Sequence, residues 1–260
     1  MVGPATSVPA AQIRRLYRTL AQAWGAQNWW PAASRFEVIV GTFLTQNTSW
    51  SNAEMALQKL RAARVLNIGG IRRIPLEELE RLIRASGYFR QKAFRLKNFV
   101  RFLDEGYGGS LSRMFDRPTQ ELREQLLSLE GVGPETADSI LLYAGQHSVF
   151  VVDAYTRRLA SRHHIAPDGT TYQELRALFE RALANAPAPV SNARQSLGGA
   201  SHQPSRMSRM NRSSSAQVFN EMHGFIVGIG KQYCRKSQPD CGHCPLEAML
   251  PDSTHAGRRR

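Results

Sequence analysis

Cysteine is nearly absent from this 260-residue chain, and the three that occur, Cys234, Cys241 and Cys244, fall in one short stretch. So few and so clustered, they exclude the disulfide framework of a small secreted domain and read instead as a metal site, iron–sulfur or zinc. The alternative is a loop packed by apolar residues without metal. Long apolar runs are missing too. None approaches the roughly 20 residues needed to span a bilayer, so no membrane partner is expected. The N-terminus carries no apolar secretory segment, and the expected location is the cytoplasm, associated with the nucleoid. Strand patterning is confined to Val149-Phe150-Val151-Val152, too short to imply a sheet. Acidic residues are scarce: 21 Asp and Glu stand against 34 Lys and Arg, a net charge of +13 that points to a polyanionic partner or an acidic surface. Between Arg61 and Arg101 the ratio is eleven basic to three acidic residues, which favours a track for a nucleic-acid backbone.

Amphipathic helical periodicity fills most of the chain. Leu16, Leu20 and Trp24 mark a first helix, and Phe36 to Leu44 is an apolar-rich run too long for a short strand. Ser51 and Glu54 are expected to form a capping box for a helix ending near Ala63. Pro75 and Glu77 start another that ends near Gly87, and further helices are expected over 90–103, 119–129, 172–185 and 218–228. Residues 186–217, rich in Ser, Arg, Gly and Pro with little apolar periodicity, read as a disordered insertion. It is either a linker without a role or a basic tether.

The most informative segment is LEGVGPETADSILLYAGQHSVFVVDAYTRR, residues 129–158. Gly131-Val132-Gly133 separates two apolar-periodic helices. Its glycines permit backbone angles and close approaches closed to other residues, and Pro134 suits a first helical turn. Free backbone N–H groups at such a turn form an anion site, although an ordinary helix–helix corner would look the same. Twenty residues on, Asp153 follows the apolar run as an expected N-cap of a helix over 154–162. A fixed carboxylate there is also placed to stabilise developing positive charge.

This segment, together with WWPAASRFEVIVGTFLTQNTSWSNAEMALQKL (residues 29–60) and SGYFRQKAFRLKNFV (residues 86–100), resembles the helix-hairpin-helix (HhH-GPD) DNA glycosylase superfamily on its endonuclease III side. The twin tryptophans, LTQNT and Trp50 look most like its 3-methyladenine branch. The resemblance spans roughly residues 28–250 apart from the insertion. It implies an all-α fold of two helical lobes with a DNA-binding cleft between them. One lobe would be 33–147, with the helix-hairpin-helix. The other would join 8–32, 148–185 and 218–250, with the cysteine loop. The expected partner is double-stranded DNA containing a damaged base, bound by a monomer.

By the same resemblance, Asp153 is catalytic. Trp29, Trp30, Trp50 and Lys231 line a base pocket, where tryptophan faces would stack on an extruded, cationic methylpurine. Gln46 would enter the emptied stack, and Gly131, Val132, Gly133 and Thr136 would hold DNA phosphate. Two positions depart from the family. Where bifunctional members carry a nucleophilic lysine this chain has Glu135, which cannot form a Schiff base, so a monofunctional hydrolase is expected. The family's four-cysteine [4Fe-4S] site would include Cys234, Cys241 and Cys244, but its fourth position is Leu250, with Asp252 or His255 as substitutes, and His243 lies between the cysteines. The implied function is base excision repair of an alkylated purine, 3-methyladenine first. The alternatives are a glycosylase for oxidised pyrimidines and a non-catalytic DNA-structure binder.

Overall fold

In the computed structural model, which describes residues 7–189 and 203–251, every regular element is helical. The chain divides into two compact units, Ala32–His147 and Met1–Pro31 with Ser148–Arg260.

The Ala32–His147 unit is built around α2 (Arg35–Leu44), whose residues from Phe36 to Leu44 are all buried. It packs against α3 (Trp50–Ala62), α6 (Phe89–Tyr107) and the π-helical turn Ile140–Gly145. Phe43 of α2 lies 5.9 Å from Phe99 of α6 between ring centroids. The unit is completed by α4 (Ile68–Arg73), α5 (Leu76–Ile83), α7 (Leu111–Phe115), α8 (Thr119–Leu127) and α9 (Pro134–Ser139). The cap of α3 differs from expectation: Ser49, not Ser51, accepts the Asn52 N–H, which starts the helix at Trp50 and puts Ser51 inside it. Helices α4 and α7, unexpected from the sequence, have too few residues to show periodicity. They are set by their caps, Asn67 accepting from the Gly70 N–H at 2.8 Å and Ser110 accepting from the Arg113 N–H at 3.3 Å.

Lys92, one of the eleven basic residues between Arg61 and Arg101, does not face solvent. It is 1% exposed, and its ammonium donates to the carbonyls of Leu44 at 2.9 Å and Ser86 at 2.6 Å. Burial, with Arg95 nearby, pulls its pKa down to about 8 from 10.5. The folded chain therefore sheds this proton at lower pH than the unfolded chain, so the unfolded state holds more protons between those values and stability rises with pH there. Urea denaturation of wild type against Lys92→Met at pH ~7.5 and ~10 is expected to show wild type gaining relative to the variant at the higher pH. A pH-independent difference would contradict a buried ammonium.

The other unit contains α1 (Ser7–Trp24), α10 (Ala154–Arg162), α11 (Tyr172–Leu183) and α12 (Ser214–Gln232). The rings of Tyr17 and Trp24 on α1 meet Phe225 on α12, and Phe150 stacks on Phe179 at 4.7 Å and meets Phe219 edge-on. Val149 to Val152 are buried but form no strand. Side chains take the place of a ladder: the Phe150 N–H donates to Glu180 Oε1 at 2.9 Å, and the Val152 N–H to Tyr172 Oη at 3.4 Å.

The expected disordered insertion 186–217 needs correction at its C-terminal end. Residues 190–202 lie outside the described residues, but α12 already begins at Ser214. Ser213 caps it by accepting from the Ala216 N–H. Ahead of the cap Met207 is 1% exposed, and the Arg212 guanidinium donates to the carbonyls of Met207 and Ser208. The polar composition hid a segment that folds around one arginine.

Candidate functional site

Asp153 is the N-cap of α10, and its two oxygens have different tasks. Oδ1 accepts from the Thr156 backbone N–H at 2.7 Å and its hydroxyl at 3.0 Å, while Oδ2 faces His223 Nε2 at 3.5 Å. The carboxylate is 13% exposed and His223 6%. Burial pushes the Asp153 pKa up, but His223 and the Thr156 donors outweigh it and hold the group below its ordinary value, ionised at neutral pH. The helix bearing Asp153 comes close to α12 because Gly230 has no side chain: a Cβ there would lie 2.1 Å from the Tyr155 ring.

Trp29 and Trp30, 6% and 7% exposed, lie in the same unit with ring centroids 5.5 Å apart. The Trp29 ring is 6.5 Å from that of His223. The tryptophan pair thus abuts the histidine that faces Asp153. Lys231, in the last turn of α12, is exposed by surface area. Its ammonium is nevertheless partly desolvated, which lowers its pKa, while Asp153 pulls in the opposite direction. His223 was not anticipated from the sequence. Its signal was available in the cluster Asn220-Glu221-Met222-His223, three polar residues within the otherwise apolar stretch Val218–Gly230 of α12 and all buried.

Gln46, Trp50 and the hairpin belong to the other unit. Trp50 is half-buried as the first residue of α3. The Gln46 amide donates to the Gly131 carbonyl at 3.0 Å and Thr136 Oγ1 at 2.9 Å, and its oxygen accepts from Arg95 at 2.7 Å. Gln46 thus ties the LTQNT loop to the hairpin. Gly131 is required twice over, by a φ of +76° and by Arg95, whose Nε would lie 1.9 Å from a Cβ. Val132 is buried, Gly133 is exposed and extended, and Glu135 is exposed on α9. The two hairpin helices are joined by an ion pair between Arg123 of α8 and Asp138 of α9, with Nε to Oδ1 at 2.7 Å. The basic track is narrower than its count suggests. Arg61 pairs with Glu37 and Glu54, Arg72 with Asp104 and Arg81 with Glu78, and Lys97 donates to the Arg72 and Ile74 carbonyls.

Cys234, Cys241 and Cys244 are free thiols that line one cavity of about 20 Å³ with Tyr233, Leu246 and Leu250. Arg162 donates to Cys234 Sγ at 3.2 Å, and burial pushes the Cys244 thiol up to about 11. That volume admits roughly one water. Among the described residues no three His, Cys, Asp or Glu are placed to hold a metal ion. His243 is engaged by Asp240, while Asp252 and His255 lie outside the described residues. With Leu250 at the fourth position, the residues present do not fit a four-thiolate cluster, and no step of the chemistry is assigned to one.

Comparison with known proteins places these features in context. The model of one family, described as "HhH-GPD superfamily base excision DNA repair protein", matches residues 40–185. A provisionally named DNA repair glycosylase of Methanocaldococcus jannaschii is 38% identical over 236 residues, covering 90% of this chain and 94% of that protein. The crystal structure of an H. pylori 3-methyladenine DNA glycosylase (MagIII), bound to 1,N6-ethenoadenine, is similar with a TM-score of 0.68 and 28% identity. The match covers 86% of this chain and 97% of that one. A trapped endonuclease III–DNA covalent intermediate is similar with a TM-score of 0.70 and 18% identity, covering 99% and 100% of the two chains, a likeness of fold.

Proposed function

We propose a substrate and a mechanism from the fact that this chain belongs to the HhH-GPD superfamily of base excision DNA repair proteins. It is a DNA glycosylase of base excision repair. Our reading is that it hydrolyses the N-glycosidic bond of an alkylated purine, 3-methyladenine above all, without cutting the strand.

The observation that carries this reading is the ionised, capped carboxylate of Asp153, aimed at His223 beside the Trp29–Trp30 pair. Cleavage of a glycosidic bond builds positive charge on the sugar, and a held carboxylate stabilises it and orients or deprotonates the attacking water. Oδ2 takes no part in the cap and faces His223 Nε2 at 3.5 Å, so a carboxylate already fixed by its other oxygen needs little reorganisation as charge develops. The target base must first leave the stack, at a cost of a few kcal/mol that is least for a damaged base. Stacking and cation–π attraction at tryptophan faces offset part of that cost and favour a cationic methylpurine. Support for the purine comes from the 28% identity to a 3-methyladenine glycosylase. The hairpin residues Gly131, Val132, Gly133 and Thr136 grip the DNA backbone, with Gln46 as the residue that enters the emptied stack.

Glu135 stands where bifunctional relatives have lysine, so water, not an amine, is the nucleophile. Chromatography of bases released from alkylated and oxidised duplexes is expected to show methylated purine and an intact abasic strand. Borohydride should trap no protein–DNA adduct in wild type, and Lys231→Ala should reduce base release. Release of oxidised pyrimidine alone would overturn the substrate. An adduct that disappears in Lys231→Ala would make that lysine the nucleophile.

A further inference from the structure

The segment ahead of α12 is connected to the tryptophan pair by a continuous chain of hydrogen bonds. The Arg212 guanidinium donates to the carbonyls of Met207 at 2.9 Å and Ser208 at 3.2 Å, which closes residues 207–212 into a compact turn. The same guanidinium donates to Gln217 Oε1 at 3.3 Å, and Gln217 Nε2 donates to Glu221 Oε1 at 3.0 Å. The other oxygen, Glu221 Oε2, accepts from the Gln27 backbone N–H at 2.6 Å. Two further contacts reach the tryptophans themselves: Asn220 Nδ2 donates to the Trp29 carbonyl, and Ser205 Oγ to the Trp30 carbonyl at 3.4 Å. Gln27 and Asn220 are 0% exposed, and Glu221 is 1% exposed.

This arrangement is costly unless it holds something in place. A glutamate so buried is expensive to keep charged, and an arginine on the same path adds a second desolvated group. Gln217 is the only side chain in the chain of bonds that both accepts from the cation and donates to the anion. Its amide therefore passes the orientation of one charge to the other, and the end of the relay is a backbone N–H two residues before Trp29. Side chains at 205, 220 and 221 thus bond one four-residue stretch, 27–30, and those at 212 and 217 are linked to it through Glu221.

We propose that residues 205–212 are a positioning element for the damaged base: acting through Gln217 and Glu221, they hold the 27–30 segment so that the Trp29 and Trp30 rings present a preformed stacking surface. The proposal rests on the reading of Trp29 and Trp30 as base-pocket residues. Burial is the largest effect and holds the Glu221 pKa above its ordinary value, while the Gln27 N–H and the Arg212 charge pull it back toward the ionised form. Loss of Arg212 therefore weakens the very acceptor that holds Gln27. The relay touches no reacting atom, so it governs how tightly the extruded base is held rather than the bond-breaking step.

The test uses the full chain with Gln217→Leu, which breaks the relay without altering charge, and Arg212→Met, singly and together. On an alkylated duplex each single variant is expected to raise KM about tenfold with kcat nearly unchanged, the signature of lost uniform binding. The double variant should be little worse than either alone, because both cut one path. Near-ultraviolet circular dichroism, which senses the coupling of two indoles 5.5 Å apart, should change in both variants while helical content stays. Arg212→Lys, which keeps the charge, is expected to recover part of KM and of the spectrum, and it serves if Arg212→Met fails to fold. Folded variants with wild-type KM and an unchanged spectrum would overturn the proposal, as would additive losses in kcat. If wild type releases no alkylated base, the proposed substrate fails, while the spectrum alone still decides whether the relay positions the tryptophans.

Discussion

Asp153→Asn is expected to keep the fold and DNA binding while lowering the rate of base release by roughly 10²–10⁴-fold. The structure separates the two duties of this residue. Asparagine is as good an N-cap as aspartate, and its amide oxygen can accept the Thr156 N–H and hydroxyl bonds now made by Oδ1. What it cannot supply is negative charge. Oδ2, which faces His223, becomes a neutral amide, and a developing cation on the sugar then meets no counter-charge. Single-turnover release from an alkylated duplex, measured beside the melting temperature and the duplex affinity, checks this. Turnover near wild type would remove Asp153 from the mechanism. A loss of melting temperature in step with activity would reduce it to a cap.

Arg123→Met is expected to destabilise the Ala32–His147 unit by about 3–5 kcal/mol, the usual consequence of leaving one member of a buried ion pair behind. Arg123 and Asp138 are 7% and 0% exposed, and the guanidinium makes two bonds to the carboxylate, at 2.7 and 3.2 Å. The pair clamps α8 to α9 on either side of Gly131–Gly133, so the hairpin should lose its geometry before the unit unfolds. Replacing both partners, Arg123→Met with Asp138→Leu, is expected to recover most of the loss, since the removed pair leaves no uncompensated charge. Urea denaturation of the three variants checks both statements. A single variant as stable as wild type would show that the pair contributes nothing net to stability.

Much of the fold was legible because it rests on local signals. The apolar run Phe36–Leu44, the glycine turn ahead of Pro134 and the capping position of Asp153 each follow from residues adjacent in sequence. Helix ends were less legible. Ser49 and Ser51 are equivalent candidates on composition, and only the chain path into α3 selects the first. The start of α12 was hidden for a related reason: Ser213 caps it inside a serine-rich run that shows no periodicity of its own.

What the sequence determined by itself was helical class, a basic surface, a hairpin between two helices and a carboxylate at the head of another. All of these depend on spacings of a few residues. Tertiary structure decided the rest. It put His223 opposite Asp153 across 70 residues of sequence, buried Lys92 beneath Leu44, and bound Gln46 to Gly131 and Thr136. It also turned a polar stretch around Arg212 toward Trp30. Each of these joins polar groups distant in sequence, where a buried donor must find an acceptor wherever the packing brings one within reach. No periodicity encodes that requirement.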